Sequence, residues 1–497
     1  MEKKNCAIIG SGLGGLAAAI RLAKQGLNVY VYEKNSLPGG KASQIIEKGF
    51  RFDTGPSLLT MPFVLEELFA DAGEKLTNYI ALKPLFINCK YYYPDGTILN
   101  AYNNKDKFIK EVISKTTEKA DNLIKLFKSS KLIYDLTANM FLFNSLSEPG
   151  NLINKSSFKT LLRINKLELF KTLHESNSKT LQDKKMVQFF DRYATYNGSN
   201  PYSAPATLKI IQHVENGMGA YICENGIYGI ADALYKLALK CGVVFNFNKN
   251  VEMIFHDNGK VTGLKIDSEK MDFDIVVSNA DVNFTYLNLL KEKTYLTDRN
   301  DNRLEPSSSA IVFYWGVEGN YGNLEIHNIL FSKDYQTEFN EIFGDKSIPN
   351  DPTVYIYISS KFKANDAPQA NENWFIMINA PYNHGQNWDI EIEKARKSII
   401  NKISNILKID ISTKILFEKV MSPLDIENKT NSNKGSIYGM SSNSKYSAFL
   451  RHQNRSKKYR GLYFVGGSSH PGGGIPLVLL SAKIAVNLIA KYELHQK

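Results

Sequence analysis

Cysteine is scarce in this chain. Cys6, Cys89, Cys223 and Cys241 are scattered over 497 positions and form no C-x-x-C pair or metal-spaced cluster, which argues against a disulfide framework and against a bound metal. A reducing cytoplasm suits that pattern. No run of about 18 uninterrupted apolar residues occurs, so a membrane-spanning helix is not expected. Internal repeats and low-complexity linkers are lacking too, and the basic residues carry no aromatic-and-arginine pattern of a nucleic-acid binder. Charge of one sign is in modest excess: 61 Lys and Arg against 50 Asp and Glu give +11. That surplus suits anionic lipid headgroups, although stretches such as 110–131 mix Lys with Glu and Asp in the manner of solvated helix faces. What is present is ordinary for a globular chain, 43% hydrophobic and 22% charged, and its length implies two intertwined domains.

Lys3 and Lys4 ahead of an apolar stretch ending in Ala17-Ala18-Ala19 imitate a secretory signal. Glycines interrupt it, and their spacing has a better cause. Residues 5–10 read as a buried strand, 16–25 as a helix stopped by Gly26, and 27–33 as a second, alternating strand. The turn between them, Gly10-Ser11-Gly12-Leu13-Gly14-Gly15, is a G-x-G-x-x-G in the βαβ context of a dinucleotide site. Gly10 permits the tight turn, Gly12 lets the backbone approach a pyrophosphate, and Gly15 allows close helix packing, while the helix N-terminus faces the phosphates. Glu33 ends the second strand, where its carboxylate is placed to accept hydrogen bonds from a ribose hydroxyl and to disfavour a 2′-phosphate.

The chain continues with Leu37-Pro38-Gly39-Gly40-Lys41-Ala42 and Phe52-Asp53-Thr54-Gly55-Pro56-Ser57, which an ordinary NAD dehydrogenase lacks. Near the C-terminus, residues 462–465 read as a buried strand, Gly466 and Gly467 allow backbone contact with a ligand, and Pro476 suits the start of a helix over 477–490. With Ser468-Ser469-His470-Pro471-Gly472-Gly473-Gly474-Ile475 between them, these segments resemble the carotenoid and phytoene desaturase family of the flavin amine oxidase superfamily. Segments 226–230, 274–281, 351–355, 366–368 and 379–381 extend the resemblance over nearly the whole chain.

The resemblance implies an α/β fold, a Rossmann-like FAD-binding domain with an inserted α+β substrate domain. The FAD-binding domain is expected from pieces 1–80, 205–290 and 455–497, and the substrate domain from a mainly helical 81–204 and from 291–454, with strands at 308–316, 353–359 and 374–380. It further implies FAD held by Gly10, Gly12, Leu13, Gly14, Gly15, Glu33, Lys34, Gly40, Lys41, Gly55, Pro56, Ser57, Val251, Asn279, Gly466, Gly467, Gly474, Ile475 and Pro476. The segment 276–281 would be the strand returning to the flavin, and the C-terminal loop would take the flavin end, so that one cofactor needs both chain termini.

Family members usually carry a glycine after the Ile-Pro, where this chain has Leu477. Asp191 to Gly198 with Pro201-Tyr202, Ile326-His327-Asn328 and Gly435 to Gly439 are similar to the hydroxycarotenoid 3,4-desaturases. That subgroup implies an apolar carotenoid substrate, an electron acceptor such as quinone or oxygen, and a place at the surface of the cytoplasmic membrane. A flavin that takes hydride leaves the protein mainly to position the reactants. The candidate catalytic groups are His470, Asp191 and Arg192; their structural alternatives are a loop hydrogen bond and a buried Asp191–Arg192 ion pair. Tyr193, Tyr196, Asn197, Tyr202 and Leu477 are candidates for the substrate pocket, or else core, and residues 91–93 and 313–315 read as strand core. Rival readings are a phytoene or diapophytoene desaturase, a carotenoid oxidase, a flavin amine oxidase, and a prenyl-lipid chaperone without flavin.

Overall fold

The N-terminal βαβ unit is strand Asn5–Ile9, helix Leu13–Lys24 and strand Asn28–Glu33, in a computed structural model that describes residues 3–148, 150, 160, 163–292, 305–444, 447 and 451–494. Its two strands run parallel, with Asn5 opposite Asn28 and Ile9 opposite Tyr32. Three distant strands complete the sheet: Ile275–Ser278 and then Leu462–Phe464 on one side of the first strand, and Val244–Phe247 beyond the second. All five are parallel; helices cover one face and the three-stranded sheet Val251–Asp257, Lys260–Ile266 and Glu269–Asp272 the other, so the central strands read as unbroken apolar runs such as Ile-Val-Val.

Helices Leu13–Lys24, Gly226–Lys240 and Ile475–Ile489 share one apolar cluster with this sheet. Ala17, Ala18 and Ala19 are wholly buried, and such small side chains let the first and last of these helices pack closely. The C-terminal helix, extended to Leu494, has the length and composition to cross a membrane, against expectation. Lys483 and Lys491 interrupt its apolar run in the sequence. Burial of 61% of its apolar window inside the protein marks it as a core helix.

The second sheet has seven strands in the order Ile415–Met421, Ser309–Glu318, Asn371–Ala380, Val354–Tyr357, His327–Leu330, Ile87–Tyr92 and Ile98–Tyr102. Every neighbouring pair is antiparallel except His327–Leu330 with Ile87–Tyr92. Trp315 and Trp374 face each other across the central pair, both fully buried, and their indole N–H groups donate to Glu418 and Glu372. The stretch 105–190 supplies helices Lys105–Lys115, Ala120–Phe141, Leu173–Thr180 and Lys184–Asp191; within it, residues 149, 151–159 and 161–162 lie outside the described residues.

Arg51 joins the two halves ahead of the segment 54–57. Its guanidinium donates to Asp53 at 2.8 Å, to Asp366 at 3.1 Å, to Gln44 at 2.9 Å and to the Asn225 carbonyl at 3.1 Å. Asp53 also accepts from the Tyr228 backbone N–H at 3.0 Å, inside the first turns of helix Gly226–Lys240. Gly226 makes this approach fit, since its φ is +74° and a Cβ there would lie 2.5 Å from an Asp53 oxygen. Removing the cation would leave Asp53, 2% exposed, without its counter-charge, and Asp366, 1% exposed, with Lys363 alone at 3.6 Å. Arg51→Met is therefore expected to lower unfolding stability by about 3–5 kcal/mol in urea titration; a loss below about 1 kcal/mol would contradict this account of the joint.

Candidate functional site

Between the two sheets lies a cavity of about 480 Å³. One end is built on the glycine turn. Gly10 has φ +91° and donates to the Tyr32 carbonyl at 2.8 Å, which bends the chain from strand into helix. Gly12 caps the helix without any side-chain hydrogen bond, and the first turn holds no acid. The open N–H groups and the positive end of the helix dipole thus face the cavity, as an anionic diphosphate requires. Gly15 is needed for a different reason: a Cβ would lie 2.2 Å from the Gly10 carbonyl oxygen.

Glu33 stands on the wall, almost fully buried. One oxygen accepts from the Ser11 N–H at 2.8 Å and hydroxyl at 2.9 Å, and the other from the Asn35 N–H at 2.9 Å and amide at 2.7 Å. The carboxylate so fixes the glycine turn to the second strand. Lys41, also on the wall, donates to the Ser436 and Ile437 carbonyls at 3.1 and 2.8 Å. Burial brings its ammonium down to about 8, while Asp281 pulls the other way. Lys34 donates to the Asn428 carbonyl and to Asn431, tying the rim to the C-terminal end of helix Pro423–Thr430.

The C-terminal loop enters the same rim. Asn279 accepts from the Gly15 N–H, and a Cβ on Gly14 would stand 3.1 Å from the Gly466 nitrogen. Behind the loop, Asn454 donates to the Phe464 and His470 carbonyls and to Ser481, which in turn accepts from the Gly466 N–H at 3.2 Å. Arg451 donates to the carbonyls of Tyr438, Met440 and Gly467. Its burial lowers the guanidinium to about 10 and sets a positive charge beneath the loop. Bare backbone donors, glycines where a Cβ would intrude and buried cations together fit a dinucleotide diphosphate.

Every residue expected to hold FAD lines this cavity except Gly15, which sits behind the turn: Gly10, Gly12, Leu13, Gly14, Glu33, Lys34, Gly40, Lys41, Gly55, Pro56, Ser57, Val251, Asn279, Gly466, Gly467, Gly474, Ile475 and Pro476 are on its wall. The candidates for chemistry and substrate divide differently. Arg192 and Tyr196 reach the wall; Asp191, Tyr193, Asn197, Tyr202, His470 and Leu477 do not. Asp191 and Arg192 form no ion pair with each other. Asp191 bonds His174 at 2.6 Å and Asn177 at 2.8 Å, whereas Arg192 reaches Glu215 at 3.4 Å. Successive residues on a helical path point about 100° apart, so adjacency in sequence separates them here.

His470 is buried and neutral, its pKa lowered to about 4 by desolvation, and its Nε2 is engaged with the Asn144 carbonyl at 2.9 Å. Leu477 packs on the core formed by the five-stranded parallel sheet and its helices. Tyr193 is fully buried, and its hydroxyl donates to Glu215 at 3.0 Å while accepting from Asn216 at 2.8 Å. Tyr196 also donates to Glu215. The Arg192 guanidinium lies over the rings of Tyr91, Tyr193 and Tyr196 at 5.4, 4.7 and 5.3 Å, a cation–π arrangement that offsets part of the cost of burying it.

Sequence reasoning missed Glu215, Asn88 and Tyr355, and did not foresee that Tyr355 links Ser57 to His327; all five are on the wall. Glu215 looks like any polar position of helix Lys209–Met218 until residues 192–196 close over it. His327 had one signal, the Ile-His-Asn stretch already noted, and Asn88 had none. The second sheet gives the wall an apolar stretch, Ala310, Val312, Ile329, Phe375 and Met377, with Asn379 as a polar neighbour on the last of these strands.

Glu33→Ala is expected to weaken FAD binding about ten- to hundredfold, the worth of a charged hydrogen bond of roughly 1.5–3 kcal/mol, with circular dichroism near that of the parent. An unchanged dissociation constant would show that the carboxylate serves only Ser11 and Asn35.

Comparison with known proteins agrees with this geometry. The family model for flavin containing amine oxidoreductases matches residues 13–298. The 1-hydroxycarotenoid 3,4-desaturase of Flavobacterium sp. (strain P99-3) is 45% identical over 98% of this chain and 99% of its own length. The 4,4'-diaponeurosporene oxygenase of Staphylococcus haemolyticus (strain JCSC1435) is 31% identical over 99% of this chain and 98% of its own. Among solved structures, an oxidoreductase from Methanosarcina mazei superposes with a TM-score of 0.62 at 17% identity, covering 97% of this chain and all of that one, which speaks to the fold alone. With helix N-terminus, glycine rim and matched family model in agreement, the chain belongs to the flavin containing amine oxidoreductase family.

Proposed function

We propose that this protein is an FAD-dependent carotenoid desaturase that introduces a 3,4 double bond into a carotenoid with a hydroxylated acyclic end. The observation that carries the reading is the continuity of one cavity from a dinucleotide rim to an apolar wall. The choice of bond follows the similarity to the 1-hydroxycarotenoid 3,4-desaturase.

When bound, the flavin supplies an acceptor for hydride from a CH–CH unit of the polyene. The chain's own residues hold and align. The turn Gly10–Gly15, Glu33 and Lys41 take the dinucleotide end, and Gly466, Gly467 and Gly474 to Pro476 bring backbone to the ring end. Ala310, Val312, Phe375 and Met377 offer the polyene a dry surface, which fixes its reach toward the cofactor and excludes water. Neighbouring double bonds of the substrate delocalise the positive charge left by the hydride, and the second hydrogen then leaves the adjacent carbon as a proton to a weak base, a water or the reduced flavin, so no strong base is called for. Arg192 is the one candidate catalytic group on the wall, and Glu215 with three tyrosine rings holds it in place. His470 and Asp191 serve as structural hydrogen-bonding groups.

On this reading the pieces 1–80, 205–290 and 455–497 form the FAD-binding domain and the rest covers the substrate. The +11 charge and an apolar substrate favour contact with an anionic membrane surface on the cytoplasmic side, with quinone or oxygen as electron acceptor.

The test is expression in hosts that supply phytoene, monocyclic and hydroxylated acyclic carotenoids, followed by chromatography and mass spectrometry. The hydroxylated acyclic carotenoid is expected to lose two hydrogens and phytoene to remain. Efficient conversion of phytoene to lycopene would overturn the subgroup assignment, and gain of oxygen would move the protein to the oxygenase side of its relatives.

A further inference from the structure

Among the described residues, Asn88 and His327 are the two most deeply buried side chains on the cavity wall that leave hydrogen-bonding atoms without a partner. Both amide atoms of Asn88 and the Nε2 of His327 are unpaired, and each residue is only 1% exposed. Such groups are costly to leave unsatisfied in a dry, apolar surrounding. They belong to neighbouring strands: Ile87–Tyr92 runs parallel to His327–Leu330, with Lys90 opposite Asn328.

The His327 ring is held rigidly. Its Nδ1 bonds the Tyr355 hydroxyl at 2.7 Å, Tyr355 continues to Ser57, and the ring stacks on Tyr357 at 5.0 Å and 11°. Burial keeps the imidazole neutral, with its pKa brought down to about 3. The hydroxyls of Tyr193 and Tyr196 offer no equivalent, because Glu215 already accepts from both; Tyr335 on the same wall also keeps an unpaired hydroxyl, on a residue 5% exposed.

An alcohol matches this pair. A hydroxyl both donates and accepts, so it satisfies His327 Nε2 in either tautomer and one side of the Asn88 amide. A carboxylate or an ammonium would bring a charge that neither residue neutralises. We propose that Asn88 and His327 form the receptor for the substrate's terminal hydroxyl and set the preference for a hydroxylated over a non-hydroxylated polyene. The inference rests on the desaturase reading and names the residues that give it specificity. A site with polar groups built for a hydroxyl rejects the analogue lacking it, because those groups stay unpaired.

The experiment compares kcat/KM of the flavin-loaded protein for a hydroxylated acyclic carotenoid and for its non-hydroxylated analogue, in the wild type, Asn88→Leu and His327→Phe. Dissociation constants from carotenoid spectral titration and flavin absorbance accompany the rates. The wild-type preference is expected to fall about ten- to hundredfold in each variant, with weaker binding of the hydroxylated carotenoid and flavin retained. Should His327→Phe fail to fold, Asn88→Leu decides by the same ratio. A preference that survives in the variants overturns the inference alone, as does a wild type that converts both carotenoids equally. A wild type that leaves both unchanged overturns the desaturase reading and this inference with it.

Discussion

Three backbones meet around the side chain of Asn279, and the fold has to preserve that meeting. Gly15 donates to its amide oxygen, and a Cβ on Gly466 would stand 2.9 Å from its amide nitrogen. Any side chain at Gly15 would strike the Gly10 carbonyl. The contact joins the start of the chain, the strand Ile275–Ser278 and the strand Leu462–Phe464, which are neighbours in one parallel sheet. A cofactor seated there cannot be bound by either terminus alone, and the long segments between must return their strands to this sheet.

Those intervening segments build the second sheet and the apolar half of the cavity. Arg51 ties them to the cofactor side through Asp53 and Asp366 just before residues 54–57 take their place on the wall. Charge is distributed to suit an anionic ligand. Lys41 and Arg451 are buried cations held chiefly by carbonyl oxygens, and such groups lose less than carboxylates would when a diphosphate arrives.

The parts of this design that were legible in the sequence are local. A glycine turn between a buried strand and an amphipathic helix carries its meaning within residues 5–33, and Gly466 to Pro476 does the same before the last helix. Strands 309–318, 354–357 and 371–380 announced themselves by β-branched and aromatic runs. Glu215, Asn88 and Tyr355 were illegible, because they acquire their roles only when distant elements pack on them. Asp191 and Arg192 misled for the same reason, each finding its partner, His174 or Glu215, from another element. The apolar C-terminal helix escaped a search for an uninterrupted run because Lys483 and Lys491 lie within it, one bonded to Glu67 and the other to Glu148.

The account stands on one cavity serving cofactor and polyene together. Its most direct test is an experimental structure of the protein carrying FAD and a hydroxylated carotenoid. The account predicts the diphosphate at the N-terminus of helix Leu13–Lys24, the flavin ring beside Gly466 and Gly467, and the polyene against Ala310, Val312, Phe375 and Met377. A polyene lying along the glycine rim with no flavin in the cavity would contradict it.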